Sequence, residues 1–183
     1  LHAGGKFGGK SYQVSGGLHG VGASVVNALS EITVVEVRRD GKVFRQEYSR
    51  GDAQTDLESR PQAETDPAGT GTTVTWTPDM DVFDELTYDF NAISNRFREM
   101  AYLNQGLGIR FRSEFHDELW PHNEVTYLFD GGVESFVRTM NRKRGAIHDN
   151  IVYTREDVEG AQVEVAFQYN ESFNENCLSF ANC

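Results

Sequence analysis

Cations are scarce in this sequence. Lys and Arg number 17 against 28 Asp and Glu, a formal net charge of -11, whereas a surface that grips a phosphodiester backbone needs the reverse balance. The segment is therefore not read as a DNA-gripping one. Cysteine is almost absent: Cys177 and Cys183 stand within the last seven residues, with no His or Cys companion at zinc-site spacing. That excludes a disulfide framework or a zinc finger and leaves two reduced thiols. No run approaches the roughly 18 apolar residues of a membrane helix, and the opening Leu1-His2-Ala3-Gly4-Gly5 has no signal-peptide core. With only 4 Pro and 38% hydrophobic residues, the composition is neither collagen-like nor that of a disordered chain. The expectation is a soluble, cytoplasmic, globular chain with no visible metal site.

What is present fits one medium domain or two small ones in 183 residues. The chain begins without Met, inside a glycine-rich stretch, and stops at Phe180-Ala181-Asn182-Cys183 directly after strand-like sequence. A segment of a longer protein is expected. Apolar residues Leu18, Val21, Val25, Ala28 and Leu29 recur at helical spacing and predict a helix from about Gly20 to Ser30. Ile32 to Arg38 and Lys42 to Tyr48 flank Asp40-Gly41, which predicts a two-residue hairpin. The polar stretch from Gly51 to Gly69 reads as an irregular excursion, and Thr72 to Thr77 as a half-buried strand with Val74 and Trp76 on one face.

Leu86, Phe90, Ile93, Phe97 and Met100 predict an amphipathic helix over Asp84 to Asn104, with the acids of Asp79 to Glu85 suited to its N-terminus. Strands are expected at Ile109 to Phe115 and Glu124 to Phe129. A helix carrying Val133, Phe136, Val137 and Met140 follows, with Arg142-Lys143-Arg144 at its C-terminus and Gly145 as its cap. Ile151 to Thr154 and Gln162 to Tyr169 predict a last hairpin. A soft domain boundary falls at Asp130-Gly131.

Glycine carries the chemistry. Gly4, Gly5, Gly8, Gly9, Gly16, Gly17, Gly20 and Gly22 are eight of the 18 glycines. Gly4 to Ser11 satisfies the P-loop spacing, but no strand precedes it and Gly16-Gly17 forbids the helix that must follow. Gly16-Gly17-Leu18-His19-Gly20-Val21-Gly22 does lead into a helix. Its amides suit a polyphosphate cradle, and a flexible linker preceding a helix accounts for the same residues. The order G-x-x-G-x-G, with no strand just before it, is not a dinucleotide-binding fingerprint.

Leu1 to Phe7 and then Ser11 to Ser30, with Gly69-Thr70-Gly71-Thr72, Leu103-Asn104, Phe129-Asp130-Gly131-Gly132 and Asn174-Glu175-Asn176, closely resemble the family of bacterial DNA gyrase B subunits. The B subunit of topoisomerase IV is a near relative within it. The resemblance covers essentially the whole chain. It implies an α+β fold: a partial GHKL-type ATPase sandwich, helices on a mixed sheet, over residues 1–130, then a truncated transducer with βαβ-like elements over 131–183.

The resemblance also implies ATP and Mg2+ as cofactors, the magnesium ligands lying outside this segment. Gly16, Gly17, Leu18, His19, Gly20, Val21 and Gly22 resemble the lid that wraps the phosphates. Lys6 resembles the lid lysine that approaches them, Tyr12 the tyrosine on the adenine side, and Thr72 the threonine on the adenine-pocket floor. Taken alone, Lys6 is a solvated lysine and Thr72 a common strand residue. The pairs Arg96/Arg98 and Arg110/Arg112 read as solvated faces. His19 reads as a positioning residue, since the family's general base is a glutamate. That glutamate, the magnesium-holding asparagine and the adenine-reading aspartate lie upstream of Leu1, and the transducer lysine and glutamine lie beyond Cys183.

No catalytic residue is therefore expected here. Three or four amide-to-phosphate bonds at about 1.5 kcal/mol each give roughly 5 kcal/mol, against about 4 to 15 kcal/mol for association, so this segment alone is expected to show no turnover. The implied parent is an ATP-dependent type II topoisomerase that introduces negative supercoils by double-strand passage. Its implied partners are the A subunit of DNA gyrase in an A2B2 tetramer, double-stranded DNA through other regions, and a second B subunit on ATP binding, with no membrane. The alternatives are the B subunit of topoisomerase IV, a decatenase, and a non-catalytic nucleotide-binding module that keeps the glycine lid.

Overall fold

The computed structural model of the chain describes residues 21–159 and 161–181. They form two compact units divided between Thr87 and Tyr88.

The first unit is built on an antiparallel sheet. Strands β1 (Ser30–Arg39) and β2 (Lys42–Ser49) pair from Thr33↔Tyr48 to Arg39↔Lys42. Asp40 and Gly41 turn between them with φ of 53° and 70°, the left-handed pair that matches strand twist in a two-residue hairpin. Strand β5 (Gly71–Pro78) pairs with the other side of β1. The excursion expected to be irregular contributes two short strands, β3 (Asp52–Ala53) and β4 (Glu58–Pro61), both paired with β2. Strands of two and four residues are too short to show an alternation. Arg60 fastens the excursion through two bonds to Asp66, Nη1 to Oδ2 at 2.6 Å and Nη2 to Oδ1 at 2.7 Å.

Directly opposed residues in antiparallel strands share a face, so the register sorts the sheet. One face carries Val35, Val37, Phe44, Val74 and Trp76 with Thr33, Gln46, Tyr48 and Thr72. The other carries Glu36, Arg38, Arg45, Glu47 and Thr73, laced by Arg45–Glu47 at 2.5 Å and by Arg38 donating to Thr73 Oγ1 at 3.0 Å.

In the second unit, helix α2 (Phe90–Leu103) is shorter than its apolar spacing predicts. Asp89 ends it by accepting the Ala92 N–H at 3.0 Å while its own backbone stays extended. Leu86 fits the period and lies outside the helix. The acids of Asp79 to Glu85 therefore do not serve the helix N-terminus, which Asp89 caps, and Asp79 has a different task, described below. Strands β6 (Ile109–Arg112) and β7 (Glu124–Tyr127) form one hairpin, and β8 (Val152–Val158) and β9 (Ala161–Phe167) another. Helix α3 (Gly132–Asn141) lies between them in sequence, and Gly145, with φ of 66°, follows its basic end. Every strand pairing among the described residues is antiparallel. The expected mixed sheet and βαβ-like elements are not found there, because α3 links strands of two separate hairpins.

Tyr102 organises this unit. It is 3% exposed, stacks on Phe129 and Phe136 at centroid distances of 3.6 and 4.7 Å, and shares a 2.8 Å hydrogen bond with Thr139. Through Tyr102, Phe129 and Phe136, residues on both sides of Asp130-Gly131 pack together. Asn141 ties the end of α3 to the β9 side, donating to Gln168 and accepting from Asn170 at 2.8 Å. Arg96–Glu99, Arg110–Glu124 and Arg112–Glu114 are exposed ion pairs.

Candidate nucleotide site

Of the residues expected to hold nucleotide, Lys6, Tyr12, Gly16, Gly17, Leu18, His19 and Gly20 lie outside the described residues. Val21, Gly22 and Thr72 lie within them. Val21 is the N-cap of helix α1 (Gly22–Ala28) and accepts the Val25 N–H at 2.9 Å. The helix starts two residues later than its spacing predicts. Its N-cap Val21 has no side-chain oxygen to offer, and its first turn carries no acid. Among the described residues, nothing beyond its chain neighbours and its own helix backbone lies within 4 Å of where a Gly22 Cβ would sit.

Thr72 is exposed near the start of β5, paired with Val37. It shares its face with Val74 and Trp76. Trp76, still 53% exposed, joins Val25, Val26, Leu29, Ser30, Pro78 and Phe83 around an apolar recess of about 120 Å³. Helix α1 and Thr72 therefore belong to one side of the sheet, separated by four strand residues, roughly 13 Å. The exposed Val74 and Trp76 side chains, with the Thr72 hydroxyl on the same strand, suit the face of a purine, and backbone amides suit phosphates. No cluster of three His, Cys, Asp or Glu side chains among the described residues is placed to hold a metal ion.

The seat of α1 uses residues that spacing does not single out. Asn27, 2% exposed, donates from Nδ2 to the Gly51 carbonyl at 3.3 Å. Arg50 and Gly51 both lie at positive φ, 51° and 93°, which turns that carbonyl toward the helix. The Arg50 N–H donates to Ser30 O at 2.9 Å and the Asp79 N–H to Leu29 O at 3.0 Å, while Ser30 Oγ donates to Val26 O at 2.6 Å. The Arg50 guanidinium bridges Asp79 and Asp81. Its pKa is raised above the ordinary arginine value by the hydrogen bond to Asp81 and by the charges of Asp79 and Asp81. The one sequence signal for this seat is the dipeptide Arg50-Gly51, a common turn element that names no partner.

No helix among the described residues is long and apolar enough to cross a membrane. The family model described as DNA gyrase B matches residues 132–183. The B subunit of DNA gyrase from Clostridium acetobutylicum is 43% identical over 183 residues, all of this chain and 27% of the relative. That of Streptococcus pneumoniae is 46% identical over 184 aligned residues, again all of this chain and 27% of the relative. The chain thus spans about a quarter of the length of the curated relatives it matches. The 43K ATPase domain of Thermus thermophilus gyrase B, solved with an aminocoumarin, aligns with a TM-score of 0.73 and 38% identity over 85% of this chain and 41% of that one. Gyrase B from Myxococcus xanthus aligns with a TM-score of 0.69 and 25% identity over 79% of this chain and 41% of that one.

Proposed function

We propose that this chain, related along its whole length to the gyrase B proteins, is the lid side of an ATP site and the entry to a transducer in a type II DNA topoisomerase that supercoils DNA. The observation that supports this most directly is identity of 43% over all 183 residues with a gyrase B protein, joined to a fold likeness with a gyrase B ATPase domain.

In this reading the backbone amides of Gly16 to Gly22 surround the phosphates, with Lys6 adding charge and Tyr12 closing on the base side. Thr72 offers its hydroxyl to the adenine edge, and Val74 and Trp76 add apolar surface on the same strand. ATP supplies the group that is hydrolysed, with Mg2+ held by residues outside this segment. The general base also lies elsewhere, so the segment by itself binds nucleotide weakly and turns none over. Residues from Gly131 onward begin the transducer. The remaining proposals are a cytoplasmic location, a gyrase A partner, a second gyrase B copy that joins on ATP binding, and duplex DNA held by other regions.

The test is reconstitution. The full-length protein, mixed with its gyrase A partner and ATP, should introduce negative supercoils into relaxed plasmid. Decatenation without supercoiling would move the reading to topoisomerase IV, and no ATP binding by the full-length protein would overturn it.

A further inference from the structure

We infer that the recess at the C-terminal end of α3 binds a small oxyanion of the phosphate class between the guanidinium groups of Arg138 and Arg142. The recess measures about 520 Å³, within the range of small-molecule sites. Every residue that lines it belongs to the second unit, so the inference does not rest on the nucleotide reading. Arg138 stands in the last turn of α3, and Arg142, its C-cap, keeps helical backbone with φ of -51° and ψ of -28°. At a spacing of four the two side chains rise from one face of the helix, their Cβ atoms about 5 to 6 Å apart. Neither pairs with a carboxylate among the described residues, and like charges at this spacing oppose each other. The helix macrodipole accounts for a cation at this end, but not for two that border one recess.

The other polar side chains around the recess are already engaged. Asn141, 8% exposed, donates Nδ2 to Gln168 Oε1 at 3.1 Å and accepts at Oδ1 from Asn170 at 2.8 Å. Gln168 donates Nε2 to the His148 carbonyl at 2.8 Å, and Thr139 shares its hydroxyl with Tyr102. The His148 ring gives Nδ1–H to the Asn150 carbonyl at 2.6 Å and accepts the Tyr169 N–H at Nε2 at 3.3 Å, which uses both nitrogens of a neutral ring. The bridge between Ala146 and Asn170 and the Ile147 N–H donating to Tyr169 O at 3.1 Å hold the walls in place. What is left is the two guanidinium forks and the Asp149 carboxylate. A tetrahedral oxyanion accepts from both forks at once. Asp149 bears the ligand's own sign, so it weakens a bare phosphate and offers an acceptor to the hydroxyl of a phosphate ester. The net charge of -11 opposes a nucleic-acid backbone on this chain, which makes a small anion the occupant.

The experiment treats the full-length protein with phenylglyoxal, which modifies free arginines, and follows Arg138, Arg142 and the exposed Arg144 by peptide mapping. Inorganic phosphate, ribose 5-phosphate and a duplex oligonucleotide are each compared with chloride at equal ionic strength. Inorganic phosphate or ribose 5-phosphate at saturation should slow modification of Arg138 and Arg142 about fivefold or more. Arg144, which does not line the recess, should react as it does in chloride. Whichever of the two protects at the lower concentration assigns the occupant as free phosphate or as a phosphate ester. The half-protecting concentration of inorganic phosphate, read at Arg142, should rise about fivefold or more in Arg138→Gln and fall about threefold in Asp149→Asn. Both substituted side chains are exposed, and a merely destabilised variant would not give shifts of opposite sign. Absence of protection, equal protection of Arg144, protection by the duplex alone, or half-protecting concentrations unmoved in either variant overturn the inference and leave the proposed function standing.

Discussion

Arg50 places Nε 2.6 Å from Oδ2 of Asp79, a carboxylate whose side chain is only 6% exposed, and sends Nη2 to Asp81 at 2.5 Å. The pair spans 29 residues of sequence and joins the end of β2 to the end of β5, beside the base of α1. The Asp79 carboxylate also accepts the Asp81 N–H at 3.0 Å.

Replacing Asp79 by Ala should therefore strand more than one group. The Asp81 amide loses its acceptor and Arg50 keeps only an exposed partner. A loss of about 1 to 3 kcal/mol is expected, measured as a lower midpoint in thermal or urea unfolding. An unchanged midpoint would mean the bridge is decorative.

Tyr102 separates packing from hydrogen bonding. Tyr102→Ala removes a ring stacked between Phe129 and Phe136 and should lower stability by about 3 to 5 kcal/mol. Tyr102→Phe loses only the bond to Thr139 and should cost about 1 kcal/mol. Similar losses in the two variants, read from denaturant midpoints, would contradict this division.

At the β1–β2 turn, backbone conformation and space make opposite demands. Nothing lies within 4 Å of a Gly41 Cβ, yet φ there is 70°. Gly41→Ala should be destabilising by about 1 kcal/mol through conformation alone, while Asp40→Asn, at a left-handed position that Asn tolerates, should be close to neutral. Chemical denaturation of the two variants checks the contrast.

Acid should release the excursion after β2. The Asp66 carboxyl is held well below the usual carboxylate range, first by its hydrogen bond to Arg60 and then by the Ala63 N–H. A depressed folded-state value contributes stability above the ordinary carboxylate pKa of about 3.9, and that contribution fades as the pH falls through the folded value. Asp66→Asn should speed proteolysis within residues 51–69 at pH 7, and the difference from wild type should shrink below about pH 4. A difference independent of pH would assign the effect to something other than this ion pair.

Thr72→Val in the full-length protein keeps the strand and deletes one hydroxyl. If that hydroxyl meets the adenine edge, ATP affinity should fall about fivefold, the equivalent of about 1 kcal/mol, with the unfolding midpoint nearly unchanged because the side chain is exposed. Equal affinity in a binding titration would remove Thr72 from the site.

Local chemistry made part of this legible in advance. Asp40-Gly41 declared its hairpin because few residue pairs accept two left-handed conformations in succession. The apolar stripe of α3 was equally plain. The start of α2 was not, since Leu86 continues the spacing while Asp89 caps the helix three residues later. β3 and β4 were hidden because their order comes from pairing with β2 rather than from an alternation of their own. At the candidate site, the glycine run and Thr72 stood out by residue type and resemblance. The corner of Asn27, Arg50 and Asp79 did not, since its partners lie 24 and 29 residues apart and a lone Asn in an apolar helix has no periodicity to betray it.

The left-handed pair Arg50-Gly51 also sets where this architecture can be edited. Extra residues placed before Gly51 would rotate its carbonyl off the helix, whereas the exposed Glu64-Thr65 tip of the later excursion supplies none of the side-chain bonds that fasten it, which come from Arg60, Gln62 and Asp66. Affinity tags, fluorophores or grafted peptides should be accepted in that later stretch and rejected at the corner, which makes the two positions a practical pair of permissive and forbidden insertion points.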